Sequence, residues 1–294
     1  MSTGLREQLG EAIFRVTAGP EGPRHRARIH GRPGPRWFDG SSPIGVVHGD
    51  ASMFVGGLRA LLLQTLHPAA MTAVAEHSDF RADMLGRLAR TSRFIAETTF
   101  GHAEDAQRAV NVVRAIHDRV NGTLPDGARY SASDPRLLEW VHVAEVDSFL
   151  RAHTMYGRHP LDAAERDEYV AQTGVVARKL GVLDPPESEA ELAARLEAFR
   201  PELAATDHAR EAVSYVVHKP PLPRAARPAY GVLVAAAVGL LPPWTRQPLG
   251  LPWLPLAERT VVRTGGSLAT GAIRWALTPG RQVAQELAAA RAEG

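Results

Sequence analysis

Cysteine is absent from the 294-residue chain. Disulfides, thiolate nucleophiles, zinc–cysteine sites and iron–sulfur clusters are thereby excluded. Any metal must be held by His, Asp or Glu, or arrive inside an organic cofactor. Long apolar runs are also missing: the longest, residues 230–241, is far short of the ~20 residues a bilayer-spanning helix needs. The first nine residues carry charge and no apolar stretch, so no secretory signal is expected and a cytoplasmic location is the default. A strong charge of one sign is lacking too. The 34 Lys and Arg nearly balance 32 Asp and Glu, which gives nucleic-acid binding little support. No period-two alternation persists beyond four residues and no segment repeats, which argues against sheets and repeat arrays.

What remains is a chain with ordinary apolar content, 45%, and helical periodicity. Helices are expected over residues 5–18, 50–66, 68–77, 79–101, 104–122, 135–156, 161–180, 189–199, 207–217 and 228–241, with one or two more over 256–292. His67-Pro68 breaks one helix and starts another, because a residue before proline is pushed out of the α region. Asp134-Pro135 has the form of a cap followed by a first-turn proline. Residues 19–45, rich in Gly, Pro and Arg, read as an irregular wrap. Residues 123–134 read as a turn region and 219–228 as a proline-rich boundary. The Pro/Trp-rich segment 242–255 is compatible with a homodimer contact, a pocket lid or a membrane-surface patch. The fold expected is all-α: one domain over 1–294, with a C-terminal helical extension over 219–294 packing back on it.

Two helix faces stand out. Ala106, Val110, Val113, His117 and Val120 recur at helical spacing, so His117 lies in an apolar stripe. A buried neutral imidazole loses its water partners and needs a donor, an acceptor or a metal. One helix upstream, Arg87, Arg90, Thr91 and Phe94 fall at i, i+3, i+4 and i+7. Gly56-Gly57 removes side-chain bulk where either a neighbouring helix or a flat ligand could approach. Three metal chemistries use such ingredients. A di-iron carboxylate bundle needs two Glu-x-x-His pairs, and Glu139-x-x-His142 has no second. A His/Asp hydrolase would draw on His117-Asp118, His67 or His77, and Asp147. A b-type haem needs one axial ligand, small or apolar walls, and cationic or hydroxyl groups for propionates or oxygen. His117, the Gly56-Gly57 helix and the Arg87/Arg90/Thr91 face would supply these. With no Cys-x-x-Cys-His, such a haem is non-covalent.

Residues 49–80, 87–95, 100–101, 112–122 and 130–143, and more weakly the helix to Gly181, resemble in order and spacing the MpaB-type oxygenases. That family includes the catalytic domain of the latex-clearing (rubber oxygenase) proteins. The likeness covers roughly 45–185 and is looser in the C-terminal third. It implies an all-α fold with a globin-like helix arrangement, non-covalent haem b, and His117 as proximal iron ligand and metal site. It also implies functional roles for Arg87 and Thr91, as an Arg-x-x-x-Thr pair. Where the rubber-cleaving members have a distal lysine this chain has Arg90, which stays protonated and is a poor iron ligand; hydrogen bonding is the role left to it. His67 is expected as a pocket neighbour. The function implied is a haem b-dependent oxygenase acting on an apolar, unsaturated small molecule and dioxygen, with the distal site open. A non-catalytic haem- or lipophile-binding protein is the alternative, with the His/Asp hydrolase behind it.

Overall fold

In the computed structural model of the protein, which describes residues 2–78 and 83–278, nearly every ordered segment is helical. The first helices are α1 (Ser2–Ala18), α2 (Gly22–Gly31), α3 (Pro43–His48), α4 (Met53–Gln64) and α5 (Pro68–His77). α6 (Met84–Phe100) and α7 (Ala103–His117) follow, then a hairpin of β1 (Asn121–Thr123) and β2 (Arg129–Ser131). α8 (Pro135–Tyr156), α9 (Ala163–Leu180), α10 (Glu189–Ala198) and α11 (Asp207–His218) complete the middle of the chain. The last part holds α12 (Arg227–Leu240), α13 (Pro243–Arg246), α14 (Pro255–Ala257) and α15 (Arg263–Leu277), with a π turn, Glu258–Val262, joining the final two. The fold is all-α.

The helix ends follow local chemistry. Asp134 accepts hydrogen bonds from the backbone of Arg136 (2.7 Å) and Leu137 (3.4 Å), with Pro135 in the first turn of α8. Asp162 and Glu165 form a reciprocal capping box on α9. At its other end Gly181, with φ +120°, takes a backbone conformation that side chains disfavour and closes the helix.

α8 is the centre of the fold, buried along most of its length and packed against α4, α9, α10 and α5. Gly56 lets α4 come close: a Cβ there would lie 2.9 Å from Phe149 Cδ1 and 3.1 Å from its Cα. Of the two expected uses of Gly56-Gly57, a neighbouring helix or a flat ligand, Gly56 takes the first, with α8 filling the space. Arg59 of α4 is buried among these helices. It donates to Leu240 O (2.9 Å) and Ser148 Oγ (2.6 Å), and its other terminal nitrogen lies 2.6 Å from Asp147 Oδ2. α12 covers α4 and also packs against α15, while α1 contacts both α6 and α15.

Several expectations are corrected. Residues 19–45 hold α2 and the start of α3; the Arg-rich, weakly amphipathic sequence hides α2 from apolar periodicity. α7 stops at His117 rather than near Gly122, because Asn121–Thr123 pairs with Arg129–Ser131 around Gly127, at φ +89°. The segment 242–255 contains the short α13. The expected helical positions 79–82 and 279–292 lie outside the described residues.

Candidate functional site

α6 and α7 are consecutive, packed together, and joined through Gly101 and His102. Such a short connection makes them antiparallel neighbours, so the beginning of α6 and the end of α7 meet at one end of the pair. Arg87 lies near that beginning and His117 is the last residue of α7.

Arg87, Arg90 and Thr91 share one cleft of about 360 Å³ with His77, Ser78 and Asp83. Half-buried Arg87 donates to Ser78 Oγ, and burial beside Arg90 lowers its pKa from the ordinary guanidinium value. Arg90 is exposed and pairs with Asp83 at 2.8 Å. Thr91 is exposed at the cleft wall, because α6 turns this face toward the opening. His77 donates from Nε2 to Asn121 O at 3.1 Å, linking the cleft to the segment just beyond His117.

The His117 ring is half-buried and its Nδ1 is buried with no hydrogen-bond partner. Burial lowers its pKa, with Asp118 opposing in part, so the ring is neutral and carries a free lone pair. Asp118 itself is exposed and accepts from Ser133 Oγ at 2.6 Å. His67 sits at the other end of α5 from His77, ~15 Å away along a ten-residue helix. Its ring lies tilted over Trp140 at 6.2 Å between centroids, with Nδ1 also unpartnered. The fold thus gathers Arg87, Arg90 and Thr91, puts His117 at the end of the adjoining helix, and sets His67 on a different side of α5.

Sequence reasoning missed Glu145 and weighed His142 only as half of a di-iron pair. His142 and Glu145 lie three residues apart on α8, hence on one face. Both keep some accessible surface but sit deep in the fold. Burial lowers the His142 pKa to about 4 and raises that of Glu145 to about 7. Both shifts follow from the cost of holding a charge away from water. His142 Nε2 has no partner, with Arg178 of α9 the charge acting on the ring; Glu145 faces Tyr169 of the same helix. Tyr169 Oη lies 3.3 Å from His48 Nε2, and His48 Nδ1 lies 2.8 Å from Thr99 Oγ1, which extends the buried polar chain to α6. The available signal was an acid at +3 from His142, on the same face of the helix.

The His/Asp hydrolase reading loses its ingredients, since Asp147 is committed to Arg59 and Arg151. Glu139, of the di-iron reading, is held by Arg136 and Arg195. Among the described residues no three His, Asp or Glu side chains converge as metal ligands. No described helix is long and apolar enough to cross a membrane.

The family model described as ER-bound oxygenase mpaB/B'/Rubber oxygenase, catalytic domain, matches residues 46–275. The match runs well past residue 185 and takes in α12 to α14 and most of α15. No curated protein and no solved structure matches.

Proposed function

Because the chain belongs to the ER-bound oxygenase mpaB/B'/Rubber oxygenase catalytic-domain family, and is an oxygenase, we propose that it works with non-covalent haem b held by His117. Its substrate is an apolar, unsaturated small molecule that reacts with dioxygen. The observation that carries this reading is the uncommitted imidazole of His117, whose buried Nδ1 has no hydrogen-bond partner. A buried polar atom left unsatisfied costs about 1–3 kcal/mol, and a bound cofactor relieves that cost.

The donor set fits the group. His117 would hold the iron, its ring neutral because of burial. Arg87 and Arg90 are the cations for propionate carboxylates, as planar, permanently charged donors suited to them. Thr91 offers a hydroxyl in the same cleft, whereas His67, expected as a pocket neighbour, does not line that cleft and is left without a role. When bound, haem supplies the redox chemistry that joins dioxygen to an alkene.

The remaining roles fall to the protein. Arg87 is oriented by Ser78, so its charge has a fixed direction. Asp83 holds Arg90 at the rim. Glu145 keeps its proton until about pH 7 and is thus a proton donor inside the fold at neutral pH, while unpartnered His142, neutral down to about pH 4, is an acceptor one turn away.

The direct test is the absorption spectrum and iron content of the purified protein before and after haem addition. A Soret band with one haem retained per chain through gel filtration is expected. A protein that stays colourless after reconstitution overturns the reading.

A further inference from the structure

We propose that the outer face formed by α12 and the helix through α14, the π turn and α15 docks on a membrane surface containing anionic lipid. The sequence is lopsided here. Between 219 and 278 the lone carboxylate is Glu258, against seven basic residues, although the whole chain is nearly balanced. That carboxylate is used internally: Glu258 pairs with buried Arg246 at 2.5 Å and accepts from the Leu254 backbone at 3.0 Å. Arg274 is also committed, with two hydrogen bonds of 2.9 Å to Asp50. Arg224, Arg227, Arg259 and Arg263 are exposed and form no ion pair among the described residues.

Large apolar side chains lie among these cations. Trp253 is 64% exposed, Leu256 81%, Val261 74% and Leu268 70%. Val261, Leu268, Ala272 and Trp275 follow a spacing of seven, four and three, so they form a stripe along the outside of the helix. Val232 of α12 continues it sideways, packing within 3.4 Å of where a Cβ on Gly265 would stand. Scattered exposed leucines are ordinary, but a contiguous apolar face marks a docking site. Apolar side chains with tryptophan among exposed arginines, with the segment's own carboxylate committed, match the boundary between acyl chains and anionic headgroups. A second copy of the chain is disfavoured as occupant, because self-association through this face would bring two sets of unpaired arginines together.

The test is flotation of the full-length protein with vesicles of phosphatidylcholine alone, and with a fraction of phosphatidylglycerol, at low and high salt. Binding to the anionic vesicles, weakened by salt and weak on phosphatidylcholine, is expected. Arg259→Gln with Arg263→Gln lowers that affinity about 30-fold, given the contribution of each cation near a charged bilayer. Leu256→Ser with Leu268→Ser also reduces binding, and because both positions are exposed the thermal midpoint stays near that of the parent. With brominated lipid, tryptophan emission is quenched in the parent and less so in Trp253→Ala. The proposal is overturned by failure to float with anionic vesicles at low salt. It is equally overturned by binding indifferent to both double variants, or by concentration-dependent dimers that the leucine variants abolish.

Discussion

Arg59 and Asp147 face each other across the α4–α8 contact, nitrogen to oxygen 2.6 Å, both almost wholly out of water. The contact is an ion pair without aligned hydrogen-bond geometry at Asp147 Oδ2, and Arg151 reaches the other oxygen at 3.3 Å. Removing one member strands the other charge. Arg59→Leu is therefore expected to cost about 3–5 kcal/mol in chemical denaturation. Replacing both residues with methionine should recover much of that loss, since a buried pair and an apolar pair of similar size are close in free energy.

His117→Ala should abolish haem retention, read as loss of the Soret band after gel filtration, with the helical circular dichroism unchanged. His67→Ala and His77→Ala should keep the band. A retained band in His117→Ala would place the ligand elsewhere.

Arg87 and Thr91 share a cleft but differ in burial, and their variants should differ accordingly. Thr91→Ala, at an exposed position, is expected to move stability by no more than about 0.5 kcal/mol, so any loss of turnover reports on the cleft itself. Arg87→Ala also frees Ser78 and should lower haem affinity or activity about 10- to 100-fold. Arg87→Lys should rescue little, because a point charge does not replace the planar fork.

The pH dependence of stability follows from Glu145. Its folded pKa, about 7, lies above the ordinary value of 4.5. Below 4.5 the group is protonated in both states and has no effect. Between 4.5 and about 7 the unfolded chain ionises first, so stability falls as pH rises, and the full cost, about 3 kcal/mol, is reached above 7. Glu145→Gln should therefore raise the thermal midpoint at about pH 8 and leave it unchanged at about pH 4. His142 acts in the opposite sense. Its folded pKa is about 4, against 6.5 ordinarily, so stability drops as pH falls through that window, and His142→Gln should flatten that acid limb.

Much of the helical frame was legible because its punctuation is chemical. His67-Pro68, Asp134-Pro135 and Gly181 each fix a boundary through backbone sterics or a cap, independent of tertiary context. The apolar stripe through Ala106 and Val110 was readable for the same reason, and both are fully buried. Where long-range contact decides, the sequence was mute. Gly56 could have faced a ligand or a helix, and only the approach of Phe149 settles which. α2 was hidden because its stability comes from packing on α6 and from Arg28 pairing with buried Glu97, at 2.5 Å, rather than from periodicity. The cleft residues Arg87, Arg90 and Thr91 were readable as a face of one helix. Glu145 was not, because an acid inside a long helix looks like a surface residue until its neighbours are known.

The π turn at Glu258–Val262 lies between two anchors: Glu258 fastened to Arg246, and Gly266 pressed against the Tyr156 ring, where a Cβ would come within 2.7 Å. A π turn spends one residue more than an α turn would, and so shifts the angular phase of everything after it. Deleting Thr260 would restore ordinary winding and force a choice: either the ion pair at one end or the ring contact at the other must let go. The irregular turn is thus a spacer that lets a single rod satisfy two fixed attachments at once.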